Sequence, residues 1–127
     1  MTLPIEIHDL TLNYGETTAL DGISLTLEGG RIHGLLGRNG SGKTSLLSVI
    51  AAFRRPTSGE VRIGGQPVWE NPAITSQIAF IRESGDTVED SEKVKEALRW
   101  AAWLRPNWDA GRAAALLDRF EVSPNDK

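Results

Sequence analysis

The sequence contains no cysteine, so disulfide bonds and thiolate metal sites are both excluded. That usage fits a reducing compartment. Nor is there an excess of positive charge: 14 Lys and Arg stand against 17 Asp and Glu, a net charge of −3, and no basic cluster offers DNA or RNA a track to follow. Nucleic acid is not expected as a partner. Long apolar runs are missing too. The longest, Val49 to Phe53 with Leu46 and Leu47 before it, falls far short of the ~20 residues that cross a bilayer. The opening MTLPIEIHDL has neither the positive n-region nor the apolar h-region of a secretory signal. Histidine is scarce: there are two, His8 and His33, and each reads as a strand residue rather than a catalyst.

What is present suits one folded domain. At 127 residues the chain should bury roughly 65% of its unfolded surface. Its 39% hydrophobic and 24% charged residues are ordinary for a globular protein. There is no internal repeat and no low-complexity segment. Ile5, Ile7, Leu10, Leu12 and Tyr14 follow period two with one slip between Ile7 and Leu10, which reads as a strand pair or a bulged strand. Ile23, Leu25 and Leu27 alternate as a second half-buried strand, and Ile32 to Leu36 is nearly continuous in apolar or small residues, as a strand covered on both faces would be. A helix is expected from Lys43 to Phe53, with Arg54 and Arg55 suiting its C-terminus and Pro56 ending it. Val61 to Trp69 reads as a hairpin with a Gly64-Gly65 turn. A short Pro72-Ala73-Ile74 element and a buried strand from Ile78 to Ile81 follow. Beyond Asp86 the pattern becomes helical, with one helix capped by Ser91 and running to Arg105, and another from about Asp109 to Phe120.

Between the third strand and the first helix lies Gly37-Arg38-Asn39-Gly40-Ser41-Gly42-Lys43-Thr44, which fits G-x-x-x-x-G-K-[ST], the phosphate-binding loop. Its glycines let successive backbone N–H groups turn inward into an anion nest that Cβ atoms would obstruct. The helix starting at its end adds about half a positive charge. Lys43 is placed to bridge β- and γ-phosphate oxygens, Thr44 to offer its hydroxyl to Mg²⁺, and Ser45 to reach the α-phosphate. An apolar strand before the loop and an amphipathic helix after it are the context the motif requires.

From LTLNYGETTALDGISLTLEGGRIHGLLGRNGSGKTSLLSVIAAFRRPTSGEVRIGGQPV the chain resembles the ATP-binding cassette (ABC) ATPases in its order of strands, loop, helix, PTSGEV turn and hairpin. The resemblance implies an α/β fold: a P-loop NTPase core with an N-terminal antiparallel β subdomain and the start of a helical subdomain. It implies that residues 1–127 are part of one nucleotide-binding domain, with 1–86 the β subdomain and loop core and 87–127 the start of the helical subdomain. The ligands implied are ATP and Mg²⁺. Gly37, Arg38, Asn39, Gly40, Ser41, Gly42, Lys43, Thr44 and Ser45 would hold the phosphates, and Tyr14 would stack on adenine, for which a phenol ring is a good platform. The metal would meet Thr44 and, where the family has a glutamine, Glu83. A carboxylate can ligate Mg²⁺ yet repels the γ-phosphate more than an amide does.

Other parts of that family's machinery do not occur in this sequence. It has no LSGGQ signature, no apolar strand ending in Asp-Glu and no histidine after the loop. Ala114 to Asp118 imitates the strand, but Arg119 follows Asp118, and the spacing of Leu116, Leu117 and Phe120 is helical. The 127 residues are thus expected to be the N-terminal part of a longer ATPase, poorly stable and without turnover alone. The implied protein is the ATP-binding subunit of a transporter, pairing with a second ATPase subunit and a transmembrane permease at the cytoplasmic side of the membrane. A non-transport ABC protein, or a truncated nucleotide-binding module without turnover, remains the alternative. Near the end of the first C-terminal helix Trp100 and Trp103 point away from the Val94, Ala97, Leu98 and Ala101 face, so that region needs cover on several sides.

Overall fold

The computed structural model describes residues 2–82 and 91–127. Two compact units divide the chain, Met1–Ile78 and Ala79–Lys127. The break expected at residue 86 lies outside the described residues.

The first unit is built on an antiparallel sheet of order β2-β1-β3-β4, with β1 at Ile5–Tyr14, β2 at Thr17–Leu27, β3 at Ser58–Ile63 and β4 at Gln66–Pro67. The slip in the first apolar pattern is a β-bulge. Register shifts between Ile7 and Leu10 against β2 and between His8 and Thr11 against β3, and Asp9 adopts φ 44°. Strict alternation would turn Leu10 to the face opposite Ile7. The extra residue restores the phase, so Ile7, Leu10 and Leu12 are all buried. The displaced Asp9 amide donates to Ser24 Oγ at 2.8 Å, and the Ser24 hydroxyl donates to Asp9 Oδ1 at 3.2 Å. The Gly64-Gly65 turn has φ of 59° and 78°, the left-handed pair that a two-residue hairpin needs. Arg62 supports it by donating to the Gly65 carbonyl at 3.1 Å. Its guanidinium also donates to Glu60 at 2.7 Å, a hydrogen bond that holds the Glu60 carboxyl below the usual range.

Against this sheet packs α1, Lys43–Ile50, followed later by α2, Pro72–Thr75. Leu46 and Val49, three residues apart on one face of α1, join Ile7, Leu10, Leu12, Leu20, Val61, Val68 and Ile74 in a single core. Each such side chain stabilises the fold by about 1.5–3 kcal/mol on burial. The helix is shorter than expected. Ala52 at φ 59° breaks it, and the amides of Phe53 and Arg54 both turn back to the Ser48 carbonyl, so Arg54 and Arg55 lie beyond the helix end.

Two expected strands are not formed. Residues 32–36 pair with no strand among the described residues, and Ile32 and Leu36 are almost fully exposed. Residues 78–81 are likewise irregular, with Ile81 exposed. An apolar run becomes a strand only beside a neighbour that takes its backbone hydrogen bonds in a ladder, and neither run has a ladder partner among the described strands.

The second unit holds α3, Val94–Leu104, and α4, Ala110–Arg119. Ser91 does not cap α3. Lys93 stands at the N-cap, its amide donating to Glu96 Oε2 at 3.1 Å. The next two amides, of Val94 and Lys95, donate to the carbonyls of Asp126 and Pro124 at 2.9 Å each, so the C-terminal segment satisfies the first turn. Asp109 caps α4 by accepting from the Arg112 amide at 2.8 Å. Val94, Ala97, Leu98 and Ala101 are half-buried, while Trp100 and Trp103 are exposed and meet edge to face at 6.1 Å.

Because Leu10 is fully buried at the phase-restoring position of the bulge, Leu10→Ala is expected to cost roughly 2–4 kcal/mol, read as a lower midpoint in urea denaturation.

Candidate functional site

Residues 37–42 join the exposed 32–36 segment to α1. Gly40 and Gly42 adopt φ of 82° and 95°, and the Ser41 amide donates to the Arg38 carbonyl at 3.1 Å, so the loop curls on itself before the helix begins. Gly42 is fixed by more than its φ. A Cβ there would lie 2.7 Å from the Ala19 carbonyl oxygen and 3.2 Å from Leu20 Cδ2. The loop therefore ends tight against β2, and α1 is launched from a fixed point. At Gly37 the corresponding space is taken by Ser41 Oγ, at 2.6 Å from the same hypothetical atom.

This geometry leaves donors without acceptors. Gly42 has no side chain to cap α1, and the helix has no acidic residue in its first turn. Among the described residues, the amides of Gly40, Gly42, Lys43, Thr44 and Ser45 have no hydrogen-bond acceptor. The first turn of any helix lacks intrahelical acceptors for its amides. At α3 the C-terminal segment fills that need; at α1 nothing does. Five donors are thus left without partners, three of them at the positive end of the helix dipole, and Lys43 adds an ammonium group that donates to the Gly37 carbonyl across the loop. The arrangement suits an anion with several oxygens. Clefts of about 370 Å³ beside Ile5, Ile63 and Ile74, and about 340 Å³ beside Pro56, Val61 and Trp69, open elsewhere in the unit and include no loop residue.

Tyr14, at the end of β1, is brought to the same helix. Its hydroxyl shares a hydrogen bond of 3.1 Å with Ser45 Oγ. The Arg54 guanidinium carbon lies 4.7 Å from the ring centroid, a cation–π distance. Neither contact was legible as such in the sequence, where Arg54 fits a helix C-terminus; the early break at Ala52 sends it to the ring instead. Thr44 is exposed, and its carbonyl accepts from Ser48 Oγ at 2.7 Å. Arg38, Asn39 and Ser41 are exposed on the loop. Glu83, the second candidate metal contact, lies outside the described residues. No group of three or more His, Asp or Glu able to hold a metal occurs among the described residues. His33 is not in a strand; its Nε2 lies 3.0 Å from the Glu28 carbonyl.

The model of the ABC transporter family matches residues 20–127. The chain belongs to that family. It is 48% identical over 67 residues to the spermidine/putrescine import ATP-binding protein PotA of Pseudomonas aeruginosa, covering 52% of this chain and 18% of that one. The daunorubicin/doxorubicin resistance ATP-binding protein DrrA of Streptomyces peucetius is 32% identical over 126 residues, which are 94% of this chain and 37% of that one. A solved structure of an ATP-binding subunit of an ABC transporter superposes with a TM-score of 0.81 at 24% identity, over 96% of this chain and 53% of its own. That likeness establishes the fold, an ABC ATPase domain represented in part. The chain spans less than two fifths of the two named relatives and about half of the solved domain.

Gly42→Ala places a Cβ against the Ala19 carbonyl at a left-handed φ. It is expected to destabilise the ABC domain by at least about 1–2 kcal/mol and to weaken binding of inorganic triphosphate, measured by thermal denaturation with and without the anion.

Proposed function

We propose that the protein is the ATP-binding subunit of an ABC transporter and that Gly37–Ser45 seats the phosphates of MgATP with Tyr14 under the base. The observation that supports this reading most is the set of outward amides at the start of α1, which have no acceptor among the described residues. A triphosphate supplies the oxygens they lack. Lys43, now donating to the Gly37 carbonyl, would exchange that partner for β- and γ-phosphate oxygens with little movement of its stem. Ser45 is near enough to Tyr14 to link the α-phosphate end of the seat to the base end.

Thr44 is exposed in the first turn, and with Glu83 it is the proposed contact for Mg²⁺. The ion, when bound, neutralises charge on the β- and γ-phosphates. Arg38, Asn39 and Ser41 would line the outer wall of the seat. Hydrolysis in this family is proposed for the full domain in a pair, with a second ATPase subunit and a permease as partners. The names of the relatives, an import protein and a resistance protein, support a transport role without fixing direction or cargo. Among the described residues no helix is long and apolar enough to cross a membrane, so a place on the cytoplasmic side would depend on the permease.

Lys43→Ala removes the one ammonium group over the loop. Loss of a charged hydrogen bond to phosphate is worth about 1.5–3 kcal/mol, so ATP affinity by calorimetry is expected to fall at least roughly tenfold. Unchanged affinity would remove the seat from the account.

A further inference from the structure

The Tyr14 ring is held from two directions. At its rim the hydroxyl is tied to Ser45 Oγ, 3.1 Å away. Over one face stands Arg54, with Cζ 4.7 Å from the centroid. The backbone makes this second contact specific. Thr57 is fastened to β1 twice, its amide donating to the Thr11 carbonyl at 2.8 Å and its Oγ1 accepting from the Asn13 amide at 2.9 Å. At the other end, the Arg54 amide returns to the Ser48 carbonyl of α1 at 3.3 Å. The short segment between these anchors carries Arg54 across the end of β1. Among the described residues no carboxylate pairs with Arg54, so the aromatic face is the electrostatic partner that the described residues give it.

We propose that Arg54 is a positioning residue for the nucleotide base, holding one face of Tyr14 so that the opposite face receives a flat, electron-rich ring. This rests on the reading of Gly37–Ser45 as a triphosphate seat. A guanidinium on one face draws π density toward itself, which lowers repulsion between the far face and a second π-system. It also limits rotation of a side chain that remains 39% exposed, so less conformational freedom is lost when the base arrives. Arg54 touches the ring and not the phosphates; its effect should appear only for ligands that carry a base.

The test is a calorimetric comparison of ATP with inorganic triphosphate in the full chain and in Arg54→Ala, Arg54→Lys, Tyr14→Ala and the Arg54→Ala/Tyr14→Ala double variant. Arg54→Ala is expected to weaken ATP roughly threefold to tenfold and to leave triphosphate unchanged. Arg54→Lys should recover part of the loss, since an ammonium can also sit over a ring. In the Tyr14→Ala background, removing Arg54 should have no further effect. Unchanged or tighter ATP binding in Arg54→Ala would overturn the proposal, the latter showing that Arg54 occupies the base's own face. Equal losses for ATP and triphosphate would overturn it by assigning Arg54 to the phosphates. An equal loss with and without Tyr14 would also overturn it. If the unaltered chain bound neither ligand, the seat itself would be refuted and Arg54 with it, an outcome distinct from all of these.

Discussion

The close approach of Gly42 to the Ala19 carbonyl is the constraint on which the loop and the start of α1 depend. Because no Cβ fits there and φ is 95°, the chain can leave the loop in one direction only, with α1 starting hard against β2. Leu46 and Val49 then fall onto the sheet core, and the first-turn amides are left pointing away from it. Had the cap been Ser, Thr or Asp, the usual choices, its side chain would have taken one of those amides. The absence of a side chain at Gly42 keeps the donors available, at the expense of about the stability that an ordinary N-cap contributes.

The start of α3 contrasts with that of α1, and α4 lies between them. The carbonyls of Asp126 and Pro124 close the start of α3, and Asp109 closes α4. The first turn of α3 thus meets the general requirement that backbone donors find acceptors, and in α4 the Asp109 side chain takes the third amide, that of Arg112. Of α1, α3 and α4, α1 is the one that begins on a glycine, and all three of its first amides, those of Lys43, Thr44 and Ser45, are without an acceptor among the described residues. An anion with several oxygens satisfies them together, and the lysine beside them offsets its charge.

Much of this was legible in the residues. The slip from Ile7 to Leu10 allowed a strand pair or a bulged strand, and the structure has the bulge because one strand cannot bury both without an extra residue; Gly64-Gly65 announced its hairpin. The loop was legible because its glycines and Lys43 sit between an apolar run and an amphipathic helix. What the sequence misjudged were features set by neighbours rather than by local pattern. Residues 32–36 and 78–81 carry the composition of buried strands, yet a strand needs a ladder partner, and the described strands give them none. Ser91 looked like a cap, but Lys93 and the C-terminal carbonyls do that work because the chain end folds back onto α3. Arg54 looked like a helix-terminal cation; a left-handed Ala52 ended the helix early, and Thr57 drew the segment to β1. Tyr14 could be placed near the loop by its resemblance, but its bond to Ser45 and its cover by Arg54 are tertiary facts.

The central claim concerns the five outward amides, and amide proton resonances read them most directly. Titrating inorganic triphosphate into the ¹⁵N-labelled protein should move the signals of Gly40, Gly42, Lys43, Thr44 and Ser45 downfield together, in a single saturable step, while those of Val94 and Lys95 stay in place. Shifts confined to other surfaces, with these five unmoved at saturation, would contradict the account.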